Sequence, residues 1–231
     1  MKKQRWLLNV FFVIIVQVSM AQTEVISFYD AGWYNETADS QPTQVNYYVG
    51  GVLGPDLHRN WFVFDLSGVN MTVGNATLRA YNRSKDKDGF LSDGYISPDE
   101  FETWSLFDVT TDLISLMNYT AGVPAYDDLG GGVFYGATNV SMADNGKFVE
   151  VTLNSDAITA INSGSGLFGI GGDITTMAPS YRQIIFASSH YNPYVELVLE
   201  EIPEPCTLSL LTLGTILAGR KRKNIRMSMR Y

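Results

Sequence analysis

The middle of this 231-residue chain is dominated by an alternation of apolar and polar side chains with a period of two residues. Within residues 61–66, Phe62, Phe64 and Leu66 fall on the same side of an extended backbone, because successive side chains of a strand point to opposite faces. The same spacing recurs at Ala76, Leu78 and Ala80, at Val149, Val151 and Leu153, and at Val195, Leu197 and Leu199. This period predicts short β-strands rather than amphipathic helices.

Further short apolar runs, bounded by Gly, Asn, Asp and Pro, bring the number of predicted strands to about ten. They are residues 26–29, 45–49, 104–109, 133–137, 167–170 and 184–187. Strands of a parallel sheet would be apolar throughout and separated by helices, whereas these strands carry one polar face, which favours antiparallel pairing. The sequence therefore predicts an all-β fold for residues 22–202, an antiparallel β-sandwich of the jelly-roll kind.

Two segments of this region have helical rather than extended character. Residues 155–161 follow Asn154, which is a good N-cap, and residues 111–117 have a similar composition. Each segment is only one or two turns long. We therefore expect one or two short helices that close the edges or ends of the sandwich.

The first 21 residues have the organisation of a secretory signal peptide. A basic start is followed by an apolar run at residues 6–18 and then by the small residues Ser19 and Ala21, two apart, which fit a signal peptidase site. We expect a signal helix, export through the Sec translocon and cleavage after Ala21. The alternative is an uncleaved anchor, although the run is shorter than the roughly 20 residues that a membrane-spanning helix needs.

Residues 203–231 contain three consecutive parts. Pro203, Glu204 and Pro205 come first, an apolar run at residues 206–219 follows, and a basic cluster at residues 220–223 comes last. As a helix the apolar run would extend about 21 Å, less than the roughly 30 Å of membrane hydrocarbon. The basic cluster would stay in the cytoplasm, which places the body of the chain on the other side of the membrane.

This order closely resembles the PEP-CTERM sorting signal of Gram-negative bacteria. The resemblance implies that a membrane protease, exosortase, recognises the motif at Pro203, Glu204 and Pro205 and removes the C-terminal hydrophobic helix with its basic tail. Many proteins with this signal are associated with exopolysaccharide. We therefore expect an exported protein that is transiently anchored in the membrane and then reaches the cell surface or the extracellular matrix. An ordinary C-terminal anchor is the alternative.

The body resembles the sandwich domains of exported bacterial surface proteins, including the DNRLRE type. The matching segments are residues 62–66, 76–81, 107–110, 157–161 and 195–199. The resemblance implies a surface or matrix component that contacts glycans, and it brings no catalytic residue with it.

The charge of the body restricts its partners. Between residues 22 and 202 there are seven basic and 23 acidic side chains, a net charge of −16, although the whole chain carries −8 because both ends are basic. A surface this acidic argues against binding of nucleic acid. The single cysteine, Cys206, excludes a disulfide within the chain.

One acidic segment has the residue types of a calcium loop. When residues 90–92 are left out, the ligand order of an EF-hand is matched by Asp86, Asp88, Asp93, the carbonyl group of Tyr95, Ser97 and Glu100. Oxygen ligands on a glycine-containing loop suit Ca²⁺ as a cofactor. The alternative is a solvated acidic loop, because the segment is flanked by predicted strands rather than helices.

Aromatic side chains offer a second kind of candidate site. Trp33, Trp61 and Trp104 are predicted to stack on sugar rings, and alternation places Trp61 on the face opposite Phe62. The alternative is that the sandwich buries these rings.

Together these observations favour a non-enzymatic surface or matrix protein. One alternative is a calcium-dependent carbohydrate-binding module. The other is an enzyme that acts on polysaccharides through two acidic residues, which would need a pair of carboxylates about 5 to 10 Å apart in a cleft. Neither His58 nor His190 is accompanied by a nucleophile motif, so no catalytic residue is predicted.

Overall fold

The strands of this protein pair into two antiparallel sheets. The computed structural model describes residues 21–37, 46–51, 56–89, 92–178, 182–187 and 194–202. In chain order the elements are β1 (Thr23–Ser27), β2 (Asp30–Asn35), β3 (Val49–Gly51), β4 (Leu57–Asp65), β5 (Val73–Asn82), α1 (Lys85–Asp88), β6 (Glu102–Asp108), α2 (Leu113–Met117), α3 (Val123–Asp128), β7 (Phe134–Val140), β8 (Lys147–Thr152), α4 (Ser155–Ser163), β9 (Leu167–Ile174), β10 (Gln183–Ile185) and β11 (Val195–Glu201).

The smaller sheet has the strand order β1-β11-β5-β8, and the larger sheet has the order β10-β3-β4-β9-β6-β7 with β2 paired to β4. Every strand pair within the two sheets is antiparallel. The prediction of an all-β fold with antiparallel sheets is confirmed.

The main core lies between the two sheets, as in a β-sandwich. Phe62 and Phe64 of β4 belong to the same buried cluster as Leu78 of β5 and Leu197 of β11, and none of the four has exposed surface. These side chains are among those that the period of two assigned to inner faces. Helix α4 also contributes Ala157 and Ile161 to this core, as expected for a helix that closes the sandwich.

The outer face of the larger sheet is covered by the segment that contains α2 and α3. Trp61 on this face is packed in a second buried cluster with Leu116 and Leu129. The backbone of Leu129 approaches β9 so closely that a Cβ atom at Gly171 would lie 2.6 Å from its carbonyl oxygen. The absence of a side chain at Gly171 therefore allows this segment to lie directly on the sheet.

The predicted signal helix and the predicted C-terminal hydrophobic helix lie outside the described residues, as do Ser19, Pro203, Glu204 and Pro205. Ala21 is described and exposed. Gln22–Ile202 form one compact unit. Among the helices that the structure describes, none has both the length and the apolar character needed to cross a membrane.

Candidate functional site

The outer face of the smaller sheet, which we call the open face, carries an ordered set of polar and aromatic side chains. Along β5 the inward residues are buried, whereas Thr77, Arg79 and Tyr81 point outward and are half-buried. The neighbouring strands β8 and β11 follow the same alternation. Because the strands are in antiparallel register, their outward side chains form rows that run across the sheet.

The first of these rows consists of three aromatic rings, and we call it the ring row. Tyr81 pairs with Phe148 of β8, and on its other side its N–H donates a hydrogen bond to the carbonyl oxygen of Tyr194, at 2.8 Å. The centroid of the Tyr81 ring lies 5.4 Å from that of Phe148 and 6.2 Å from that of Tyr194. Both neighbours are oriented edge to face with Tyr81, the geometry that aromatic pairs prefer. Tyr194 is 54% exposed, so the row is open to solvent.

The next row is charged, and we call it the charge row. Arg79 lies between two glutamates, with its Nε 2.8 Å from Glu150 and its Nη1 2.9 Å from Glu196. The same guanidinium lies 4.4 Å from the centre of the Phe148 ring and covers one face of it. Arg79 thus connects the two rows, and the charge row as a whole carries one net negative charge.

The hydroxyl group of Tyr81 is also positioned. It donates a hydrogen bond to Asp88 of α1, at 3.3 Å. Burial and the nearby Asp88 carboxylate raise the pKa of Tyr81, so the phenol keeps its proton near neutral pH. The ring row therefore presents apolar ring surface with the neutral hydroxyl group of Tyr81 at its edge.

The three tryptophans predicted to stack on glycans do not lie on this surface. Trp104 is fully buried between the sheets, Trp61 is fully buried beneath the α2–α3 segment, and Trp33 is 6% exposed and packs edge to face on His58, at 4.6 Å. The assignment of Trp33, Trp61 and Trp104 as stacking residues is therefore wrong. Alternation placed Trp61 on the outer face correctly, but it gave no sign that helices cover this face.

The predicted calcium loop folds in part as the helical turn α1. Asp88 accepts a hydrogen bond from the N–H of Ser84, at 2.7 Å, and Asp93 accepts one from the N–H of Lys85, at 2.8 Å. Both carboxylates thus satisfy backbone donors at the start of the helical turn, where such donors lack intrahelical partners.

The other predicted ligands have different environments. The hydroxyl of Ser97 donates to Glu102, at 2.6 Å, the N–H of Tyr95 donates to Asn145, at 2.9 Å, and Glu100 is exposed. In the described part of the chain, no three His, Cys, Asp or Glu side chains are grouped so that they could hold a metal ion. The described part of the structure does not bring the predicted ligands Asp86, Asp88, Asp93, Tyr95, Ser97 and Glu100 together at one site.

Two carboxylates do converge elsewhere, at the start of β6. Gln183 donates to both Asp99, at 2.6 Å, and Glu102, at 2.7 Å. Glu102 has no exposed surface and also accepts hydrogen bonds from Ser97 and Thr176, each at 2.6 Å. A buried carboxylate with three donors is a structural anchor that holds the loop before β6 against β10.

His58 is 5% exposed, with Nδ1 3.2 Å from the carbonyl oxygen of Gly50. Burial lowers the pKa of His58, so its ring is neutral at pH 7. His190 lies outside the described residues. The packing of His58 between Trp33 and Tyr48 is that of a core residue.

A pocket of about 250 Å³ lies between the β4–β5 connection and the end of α4. Its rim contains Asn162, whose side chain pairs with both the N–H and the carbonyl oxygen of Val73, and Asn70, which donates to the carbonyl oxygen of Gly68. These amides hold the loop together, so the pocket is less suited than the open face to be a binding surface.

Comparison of the chain with protein-family models and with curated proteins gave no match. The candidate site is therefore defined by geometry alone. Sequence reasoning did not select Tyr81 or Phe148, although the alternation that buries Leu78 and Val151 also places these two rings on the outer face. The missing information was the strand register, which brings them side by side.

Proposed function

We propose that this chain is an exported, non-enzymatic β-sandwich protein of the cell surface or exopolysaccharide matrix. In this proposal the Sec translocon exports it, and exosortase recognises the motif at Pro203, Glu204 and Pro205 and removes the residues that follow. The support for this sorting is the order of motif, apolar run and basic cluster in residues 203–223. The motif begins two residues after β11 ends at Glu201, where the folded unit ends.

The body is proposed to be a jelly roll. Its support is the strand order, in which β1-β11-β5-β8 faces β4-β9-β6-β7. Strands β2, β3 and β10 extend the second sheet at one side. Jelly rolls with an exposed sheet face are used by lectin domains, which suits a protein of the matrix.

The proposed activity is weak contact with polysaccharide through the open face. The single observation that carries it is the ring row of Tyr81, Phe148 and Tyr194, three adjacent rings on an exposed sheet. Aromatic rings offer flat apolar surface with polar edges, which matches the C–H faces and hydroxyl groups of sugars. The contact is weak because the surface is flat and does not enclose a ligand.

The ring row lies at the end of β5 that is far from the sorting segment. The N–H of Ile202 donates to the carbonyl oxygen of Thr72, beside the start of β5, whereas Tyr81 lies near the end of β5. At about 3.3 Å per residue, these two ends of β5 are roughly 26 Å apart. The ring row is therefore remote from the residue to which the sorting segment is joined.

The sorting proposal is tested by isolating the protein from its native host and measuring its intact mass in the membrane and matrix fractions. We expect a matrix form that lacks residues 1–21 and the apolar run 206–219. The triple variant Pro203→Ala, Glu204→Gln and Pro205→Ala should keep the apolar run 206–219 and stay in the membrane. The neighbouring control Glu201→Gln should be processed normally. Recovery of an unprocessed wild-type chain from the matrix would contradict the proposal.

A further inference from the structure

We propose that the open face binds uncharged polysaccharide and that its charge row excludes acidic polysaccharide. This inference rests on the proposed function, because it names the class of polymer that the ring row contacts. The observations that support it are the ion pairs of Arg79 with Glu150 and Glu196 and the acidic side chains on the same face.

Arg79 is the basic side chain of the open face that would be expected to bind an acidic sugar. Arginine recognises carboxylate and sulfate groups through paired N–H donors. Here those donors already contact Glu150, at 2.8 Å, and Glu196, at 2.9 Å. An acidic sugar would have to displace one of these carboxylates from Arg79 and would still lie close to both of them. The exchange therefore gives no net gain in electrostatic energy.

Acidic side chains farther from Arg79 act in the same direction. Two rows beyond it, Glu200 is exposed and accepts a hydrogen bond from Asn75, at 3.0 Å. The body as a whole carries a net charge of −16. At physiological ionic strength these charges act over about 8 Å, which is enough to repel a polyanion from the sheet surface.

Within the ring row and the row beyond the charge row, the side chains that remain for a ligand are uncharged, and Asp88 lies at the edge of the ring row on the Tyr81 hydroxyl. Tyr81 and Tyr194 provide ring surface and hydroxyl groups, and Thr77 and Thr152, paired across β5 and β8, lie beyond the charge row. Phe148 supports the row, because one of its faces is occupied by Arg79. A neutral polysaccharide can contact the ring row without displacing a carboxylate from Arg79.

A cationic polysaccharide is a different case. It would be attracted by the acidic surface as a whole, so its binding would weaken steeply with added salt and would not depend on the rings. Binding of a neutral polymer depends on the rings and is insensitive to salt. The two modes are therefore separated by the combination of ring variants and ionic strength.

The test is affinity gel electrophoresis of the protein recovered from its native host, with a neutral glucan, an acidic polyuronate or a chitosan in the gel. We expect retardation by the neutral glucan at low and high salt and none by the polyuronate. Tyr81→Ala and Tyr194→Ala should each weaken binding to the glucan by roughly tenfold. Tyr81→Phe should retain most of the binding, and Phe134→Ala, which removes an exposed ring of the other sheet, should retain all of it.

The role of the charge row is tested by a variant that should gain binding to polyuronate. With both Glu150→Gln and Glu196→Gln, the Arg79 side chain loses its anionic partners, and the protein should then be retarded by the polyuronate while still binding the glucan. The inference would be overturned if the wild-type protein bound polyuronate as well as glucan and the tyrosine variants lost binding to both polymers. That result would still support contact between the open face and polysaccharide. Binding of chitosan alone would also overturn the inference. Absence of retardation by any polymer would overturn the contact itself.

Discussion

Arg79 and Phe148 form a cation–π pair, with the guanidinium carbon 4.4 Å from the centre of the ring. The pair connects the charge row to the ring row on adjacent strands. Two carboxylates and one ring face thus contact this single arginine side chain. The open face is therefore an organised surface rather than a set of independent side chains.

The two ion pairs of Arg79 should contribute unequally to stability. The side chain of Glu196 is 28% exposed and that of Glu150 is 56% exposed, and exposed pairs are the more strongly screened. Double-mutant cycles with Arg79→Met, measured by urea unfolding, should give roughly 0.5 to 1 kcal/mol for the pair with Glu196 and less for the pair with Glu150. A larger coupling to Glu150 would show that exposure does not govern these pairs.

Gly171→Ala should be strongly destabilising. The added Cβ would lie 2.6 Å from the carbonyl oxygen and 2.8 Å from the Cα of Leu129, and neither backbone atom can move independently of the α2–α3 segment. We expect a loss of about 2 to 3 kcal/mol, in the range of overpacked cores. Gly166→Ala is the matched control on the connection to β9, because nothing lies within 4 Å of its Cβ position. Equal melting temperatures for the two variants would contradict the close packing of this segment.

Glu102→Gln should destabilise the protein, whereas Glu100→Gln, two residues earlier and exposed, should change its stability little. The Glu102 carboxylate accepts hydrogen bonds from Ser97, Thr176 and Gln183, and an amide would turn one acceptor into a donor that faces another donor. Leaving a buried group unsatisfied costs roughly 1 to 3 kcal/mol. Chemical denaturation near pH 7 measures the difference, and equal stability of both variants would be inconsistent with this anchor.

The pH dependence of stability should contain a contribution from His58. Burial lowers its pKa below the unfolded value of about 6.5, so the unfolded state binds more protons in mildly acidic solution. This contribution is fully present above about pH 6.5 and is lost as the pH falls through the folded pKa.

The measurement is urea unfolding from pH 7.5 to pH 5, for the wild type and for His58→Gln. The wild type should lose more stability over this range than the variant does. Burial raises the pKa of Asp30 and of Asp173, so these two groups change stability with pH in the opposite direction to His58. Their effect is the same in the wild type and in the variant. Parallel pH profiles would show that His58 binds its proton as readily in the folded state as in the unfolded state, which would contradict the lowered pKa.

The fold was predictable where local pattern decides the structure. Alternation located β5, β8 and β11, and the N-cap at Asn154 located α4, because each signal lies within a few residues of the element it specifies. Strand β2 was missed, since its Asp and Gly residues disfavour a strand and it forms through pairing with β4, more than twenty residues away.

The candidate site required information that alternation does not contain. Period two places Arg79 and Tyr81 on the outer face, but it does not specify that Phe148 and Tyr194 lie beside Tyr81. The tryptophans show that alternation also does not predict whether an outer face is covered. Trp61 was assigned to the correct face, and only the helices packed over the sheet reveal that this face is closed.

The most direct test of the central claim is co-sedimentation of the protein with the exopolysaccharide of its own host. The account predicts that the wild-type protein and Phe134→Ala pellet with the polymer, whereas the double variant Tyr81→Ala and Tyr194→Ala stays in the supernatant while keeping the wild-type melting temperature within a few degrees. A wild-type protein that stays in the supernatant, or a folded double variant that pellets as fully as the wild type, would contradict it.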